Sequence, residues 1–207
     1  MPWVKAAQKS FEKFLPLPEE RASMYQLGKK MLTDAGYRDI GMDHFALSQD
    51  KLYQAFDQGQ LHRNFMGYTT QDTDLLIGLG MSSISDSWTA FSQNEKLISK
   101  YYERLDKDEL PITKGHQLTI EDLKIRRHIL NLMCKFATNW SSEELLEIGI
   151  GFNVELLNNL SNDGLIYWDE FGIEILDTGR PFIRNICMAL DSRLWNAQKF
   201  SRFSQTV

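Results

Sequence analysis

Between Glu19 and Ala35 the apolar residues Ala22, Tyr25, Met31, Leu32 and Ala35 fall close to helical spacing, and Gly36 stands where a C-cap glycine stops a helix. Tyr37 to Met42 then reads as a short strand running into Asp43, His44 and Phe45, and Ser48 caps a second helix that closes at Gly59. A polar crowd follows, with His62, Arg63, Asn64, Asp72 and Asp74 set ahead of Leu75 to Ile84. That run is apolar enough to predict a second buried strand, in which Gly78 and Gly80 permit close backbone approach. Helix and strand alternate, so the region is read as α/β. Ligand-facing residues are then expected where strands end, at Asp43 and His44 and at Ser82 to Ser85. Two strands cannot close a barrel, so the layout predicts a fragment of a larger sheet or a small α/β remnant.

The pattern changes after a predicted helix at Asn94 to Lys107 and a turn-rich linker at Asp108 to Leu118, which divides the chain into regions 1–107 and 108–207. Thr119-Ile-Glu-Asp caps a helix through about Ala137, Ser141-Ser-Glu-Glu caps a shorter one, and a third runs from Asn153 to Leu160. Asn162-Asp-Gly is a turn, and Leu165 to Trp168 with Ile173 to Leu176 flank Asp-Glu-Phe-Gly as a hairpin. Helices followed by a two-stranded wing make a winged-helix order. Thr178-Gly-Arg-Pro opens a last helix, with Thr as cap and Pro in the first turn.

Composition narrows the function. The chain has 207 residues, 43% of them hydrophobic, which is enough for one large domain or two small ones with real cores. No apolar run approaches the ~20 residues that span a bilayer, and the amino terminus has no signal-peptide pattern, so a cytoplasmic protein with no membrane partner is expected. The winged-helix order raises DNA binding, but Thr119 to Phe182 holds five Lys or Arg against eleven Asp or Glu. A duplex would repel that surface, and the would-be recognition helix FNVELLNNLSN lacks basic side chains for phosphates, so a packing module is preferred. Ile183 to Val207 is instead basic, with Arg184, Arg193, Lys199 and Arg202 among Trp195, Phe200 and Phe203. Such a segment either receives a flat acidic ligand or packs on an acidic neighbour, and spacing favours the packing. Cys134 and Cys187 follow no ligand spacing and are expected to be reduced core thiols. His116 and His128 stand in no constellation, and no catalytic or metal-ligating residue is assigned.

Three stretches carry a resemblance. AGYRDIGMDHFAL (Ala35 to Leu47), LHRNFMGYTTQDTDLLIGLGMSSIS (Leu61 to Ser85) and RPFIRNICMALDSRLW (Arg180 to Trp195) resemble, in order, signatures of the oxygen-independent coproporphyrinogen III oxidases, coproporphyrinogen dehydrogenases of the radical S-adenosylmethionine class. The resemblance spans essentially the whole chain and covers the carboxyl-terminal half of that family. It implies the end of an incomplete β/α barrel followed by a mainly helical domain, in an enzyme that oxidatively decarboxylates two propionates of coproporphyrinogen III to vinyl groups on the route to haem. The family uses S-adenosylmethionine and a [4Fe–4S] cluster held by three closely spaced cysteines, a motif absent from this sequence, so the chain by itself is expected not to bind the cluster or perform the reaction. Pro2-Trp3-Val4-Lys5 resembles the interior of the longer family chain, so Met1 is read as a truncation or the start of a split polypeptide.

The resemblance also assigns sites. The isoleucine matching Ile84 is associated with bound S-adenosylmethionine in the family, and coproporphyrinogen's four propionates make His62 and Arg63 apt contacts for substrate carboxylates. Alternatively, Arg63 bridges Asp72 or Asp74 and Asn64 satisfies loop backbone groups. His44 is either ligand-facing or a satisfied histidine at a strand end. Partners expected are a tetrapyrrole and either the missing amino-terminal half or a second copy, with apolar residues in Tyr37 to Met42 and Leu75 to Ile84 left exposed. The competing function is a noncatalytic module that binds haem, another tetrapyrrole or a protein.

Overall fold

The computed structural model describes residues 14–148 and 152–196. Pro2 to Lys5, and Lys199, Phe200, Arg202 and Phe203 of the basic tail, lie outside the described residues, as does the side chain of Trp195. The architecture is mixed α and β, and every strand pairing among the described residues is antiparallel.

Helix α1 (Pro18–Asp34) leads into β1 (Tyr37–Gly41), β2 (His44–Leu47) and α2 (Lys51–Asp57). The strand expected from Tyr37 is present, but the chain turns at Met42 and Asp43 and returns as its hairpin partner. His44 therefore belongs to a strand instead of a loop. Asp50, not Ser48, caps α2, its Oδ1 accepting the Leu52 N–H at 2.7 Å, because the helix starts later than its apolar pattern does. Ile40, Ala46, Ala55 and Leu61 form a small core with Cys134 of the second region. Ile40 is fully buried, which corrects the expectation of an exposed apolar face at Tyr37 to Met42.

Two further sheets follow: the hairpin β3 (His62–Asn64) with β4 (Gly67–Thr69), and a sheet of β5 (Ile84–Asp86), β6 (Ala90–Asn94) and β7 (Ile112–Gln117) in that order. Helix α3 (Ile98–Leu105) joins β6 to β7, so strands occupy both the start of the predicted Asn94 to Lys107 helix and most of the predicted linker. The β6–β7 pairing crosses the boundary expected at Lys107. The buried strand expected over Leu75 to Ile84 is absent, and only Ile84 enters a strand. Gly80 and Ser82 hold positive φ, which curls the segment back over the sheet edge, where Asn94 Nδ2 donates to the Gly78 and Gly80 carbonyls at 3.2 and 2.9 Å. Gly78 does allow close approach, since a Cβ there would lie 2.7 Å from the Ile84 carbonyl oxygen. Leu75, Ile77, Leu79 and Met81 point outward, as the expectation of exposed apolar surface in this stretch required.

The second region is helix α4 (Ile120–Lys135), β8 (Ala137–Asn139), α5 (Ser142–Ile148), α6 (Val154–Asn162), β9 (Ile166–Asp169) and β10 (Gly172–Ile175), with β10 central in the β8-β10-β9 sheet. Thr119 caps α4 reciprocally: its Oγ1 accepts the Asp122 N–H at 3.1 Å, and Asp122 Oδ2 accepts the Thr119 N–H at 2.8 Å. The hairpin falls where the sequence placed it. A 3₁₀ turn (Arg180–Phe182), α7 (Ile183–Met188) and α8 (Ser192–Asn196) close the described chain. Thr178 does not cap a last helix, because its hydroxyl donates to the Gly164 carbonyl at 2.6 Å.

Leu132, Leu157, Ile166, Ile183, Ile186 and Leu190 form the main core, each essentially excluded from solvent and worth roughly 1.5–3 kcal/mol of transfer free energy. Cys134 and Cys187 are both free and buried, as expected of core thiols. Gly179 seals the base of the hairpin: a Cβ there would come 2.0 Å from the Leu165 carbonyl oxygen, which already accepts the Leu176 N–H. Gly179→Ala should therefore cost about 1–3 kcal/mol in urea unfolding. A cost below about 0.5 kcal/mol would mean that the hairpin base yields freely.

His128, fully buried on α4, has Nδ1 2.7 Å from Thr138 Oγ1 and Nε2 3.4 Å from Glu144 Oε1. Burial lowers its pKa despite the nearby carboxylate. The unfolded chain then takes up this proton near pH 6.5 while the folded chain resists it, so the contribution to stability is complete above that pH and falls as the solution is acidified. Urea midpoints compared at pH 7.5 and 5.5 should drop more for the wild type than for His128→Gln. Equal drops would remove His128 as the cause.

Candidate functional site

Hairpin β3–β4 pairs Arg63 with Tyr68 and Asn64 with Gly67, and its turn is fixed by Asn64 Oδ1 accepting the Met66 N–H at 2.8 Å. Asn64 thus satisfies loop backbone, as one sequence reading held. Tyr68 donates its hydroxyl to the Met133 carbonyl at 2.8 Å and so ties the hairpin to α4; burial pushes its phenol pKa up. The Arg63 guanidinium lies over the Tyr68 ring, 4.7 Å from its centroid. Its Nη1 is shut off from solvent and has no hydrogen-bond partner.

A cavity of about 370 Å³ opens beside this guanidinium, walled by Phe65, Phe91, Leu118, Ile129 and Met133. Two further arginines line it, and both are committed. Arg126 clamps Asp86 with two bonds, Nη1 to Oδ1 at 3.0 Å and Nη2 to Oδ2 at 2.5 Å, while its guanidinium stacks 4.2 Å from the Trp88 ring centroid. Arg193 clamps Asp122, Nε to Oδ1 at 2.6 Å and Nη2 to Oδ2 at 2.7 Å. Those bonds, helped by the Thr119 N–H, hold the Asp122 carboxyl well below the usual carboxylate range. His116 stands 3.7 Å from the same carboxylate. Arg63, by contrast, has no ion-pair partner among the described residues. An apolar chamber with one uncommitted guanidinium suits a flat ligand edged by a carboxylate.

The residues expected from sequence are partly brought together. Arg63 lines the cavity and does not bridge Asp72 or Asp74. His62 is on the opposite face of its strand, Nδ1 3.4 Å from Asp72 Oδ1. Ile84 starts β5 two residues before Asp86 and does not line the cavity. His44 packs edge-on against Tyr68 at 5.0 Å, while Asp43 Oδ1, 2.9 Å from its Nδ1, is poorly aligned for a hydrogen bond. Of the basic tail, Arg193 packs on an acidic neighbour, as spacing favoured, and Arg184 is exposed. The Arg126–Asp86 clamp was missed in the sequence, because its partners are 40 positions apart and no local spacing signals it.

No family model matches the chain. Whole relatives do. Oxygen-independent coproporphyrinogen III oxidases from Synechocystis and Escherichia coli are each 39% identical across the full chain, which spans 47% of their length. The chain matches the carboxyl-terminal half of the oxygen-independent coproporphyrinogen III oxidases. The enzyme of that name from Thermostichus vulcanus is 37% identical, with 66% of its length covered. The solved structure of the Escherichia coli coproporphyrinogen III oxidase, described as a radical SAM enzyme, superposes with a TM-score of 0.78 at 37% identity, over 92% of this chain and 44% of that one.

Radical SAM chemistry implies a cluster, and the two cysteines here do not fit one. Both thiols are buried, and burial pushes Cys134 up to about 11 and Cys187 up to about 12, whereas cluster ligands are thiolates. Among the described residues no group of three or more His, Cys, Asp or Glu is placed to hold a metal ion. No described helix is long and apolar enough to cross a membrane.

Proposed function

We propose that this chain supplies the carboxylate-recognising wall of the tetrapyrrole pocket of an oxygen-independent coproporphyrinogen III oxidase. The observation that carries this reading is the Arg63 guanidinium at the edge of an apolar cavity, its Nη1 sealed from solvent and lacking any partner. An orphaned buried N–H on a charged group costs about 1–3 kcal/mol or more, which a propionate oxygen would recover after a small rotation. His62, on the opposite face of β3 and near Asp72, positions the hairpin from behind, and Ile84 is the S-adenosylmethionine neighbour through family likeness. The outward apolar residues Leu75, Ile77, Leu79 and Met81 mark where an amino-terminal half of the family type, or a second copy, packs.

In this reading the helix, strand, helix, helix, hairpin order from α4 to β10 is a winged-helix-like packing domain. The antiparallel sheets before it sit beside a barrel instead of forming its strands. Oxidative decarboxylation itself would draw on a cluster bound elsewhere. A second reading, tetrapyrrole binding without decarboxylation, rests on the same Arg63 cavity and requires no cluster. Titration of the chain with coproporphyrin III and, separately, haem, followed through tryptophan quenching, tests both. Saturable binding of coproporphyrin III in preference to haem supports the enzyme-derived pocket, and preference for haem supports the second reading. Quenching by neither would overturn a tetrapyrrole site in this chain.

A further inference from the structure

A second cleft, of about 470 Å³, lies between the first hairpin and the 3₁₀ turn, and no residue lines both it and the tetrapyrrole cavity. Tyr37, Arg38 and Asp39 of the first family-like segment meet Arg180 of the third there, residues that the tetrapyrrole reading leaves unused. Two buried polar atoms of cleft-lining residues lack hydrogen-bond partners: Asp39 Oδ1, an acceptor, and Arg180 Nε, a donor. Asp39 Oδ2 is held by Lys29 Nζ at 2.7 Å, which leaves Oδ1 without a donor. Asp177 Oδ1 is 3.1 Å from Arg180 Nε, but its alignment does not make a hydrogen bond, and Asp177 is almost fully exposed. The Arg180 guanidinium is kept in place by stacking 4.4 Å from the Phe136 ring centroid.

Both atoms are sealed from solvent, so a small rotation of each side chain is what would turn an unsatisfied acceptor and an unsatisfied donor into the cleft. Lys29, Arg38 and Arg180 outnumber the carboxylates Asp39 and Asp177, so the lining has a positive excess. Arg38 is exposed and has no ion-pair partner among the described residues. Tyr53 and Phe56 add aromatic wall. We propose that this cleft binds a small carboxylate carrying an N–H or O–H donor on its α-carbon, an α-amino or α-hydroxy acid with an apolar side chain. Arg180 takes the carboxylate, with Arg38 reaching it along the cleft rim from the other face of β1, Asp39 Oδ1 accepts from the α-substituent, and the aromatic wall covers the side chain.

Calorimetric titration of the 207-residue chain with four probes tests the site. L-phenylalanine and 3-phenyllactate carry both groups, 3-phenylpropionate lacks the donor, and phenethylamine lacks the carboxylate. Saturable one-to-one binding is expected for at least one of the first two, and whichever binds more tightly identifies the α-substituent. The last two should bind at least about tenfold more weakly. Arg38→Ala, on an exposed side chain, should weaken the bound acid by a similar factor while leaving coproporphyrin III quenching unchanged. Binding of none of the four, equal binding of all, or unchanged affinity in Arg38→Ala would each overturn the proposal.

Discussion

Replacing Arg126 by alanine should destabilise the chain by about 3–5 kcal/mol, a large fraction of the roughly 5–15 kcal/mol typical of a folded domain. Arg126 and Asp86 side chains are 15% and 11% exposed, so the variant strands a carboxylate away from water with no counter-charge. The loss spreads further. Asp86 Oδ1 also accepts the Trp88 N–H at 2.8 Å, and Arg126 Nη1 donates to the Trp88 carbonyl at 2.8 Å, so the pair holds a turn in which Trp88 keeps φ at 64°. Stacking of the guanidinium on Trp88 and Phe91 disappears as well. Arg126→Lys should recover only part of the loss, because an ammonium cannot grip both carboxylate oxygens and stack at once. The double variant Arg126→Ala, Asp86→Ala should be more stable than the two single losses summed, since the stranded charge is gone. Urea midpoints with Trp88 as a local reporter give all three numbers. A cost under about 1 kcal/mol for Arg126→Ala would show a solvated pair of the ordinary surface kind.

This clamp joins α4 to a sheet 40 positions earlier in the chain, and no local pattern announces it. Local signals did announce α4 itself, through Thr119 and the acid three residues on, and the β9–β10 hairpin, through Asn162-Asp-Gly and the flanking apolar strands. β7 failed to register for a physical reason: every residue from Ile112 to Gln117 is exposed, so no alternation of apolar and polar positions exists to be seen. Leu75 to Ile84 misled in the opposite direction. Its alternating Leu75, Ile77, Leu79 and Met81 have strand period, yet they face outward, and the intervening glycines and serines turn the backbone instead of pairing it. Apolar period identifies one shared face, not what covers it.

For the site, the family-like segment Leu61 to Ser85 led to Arg63, and the structure gives that residue a cavity. It could not separate Arg63 from His62, because strand alternation sends adjacent side chains to opposite faces and the hairpin β3–β4 was not foreseen. The role of Arg193 was legible only as one of two alternatives. Its clamp on Asp122 decides for packing at that residue.

Quenching of the five tryptophans by coproporphyrin III, in the wild type and in Arg63→Met, tests the carboxylate-recognising role of this chain most directly. Methionine keeps much of the packing volume over Tyr68 and removes the charge. Saturable binding to the wild type, weakened at least about tenfold in Arg63→Met, is the predicted result. The tetramethyl ester, which has no carboxylates, should bind weakly and with equal affinity to both proteins. Equal affinity of both proteins for the free acid would contradict the assignment of Arg63 as the carboxylate receptor.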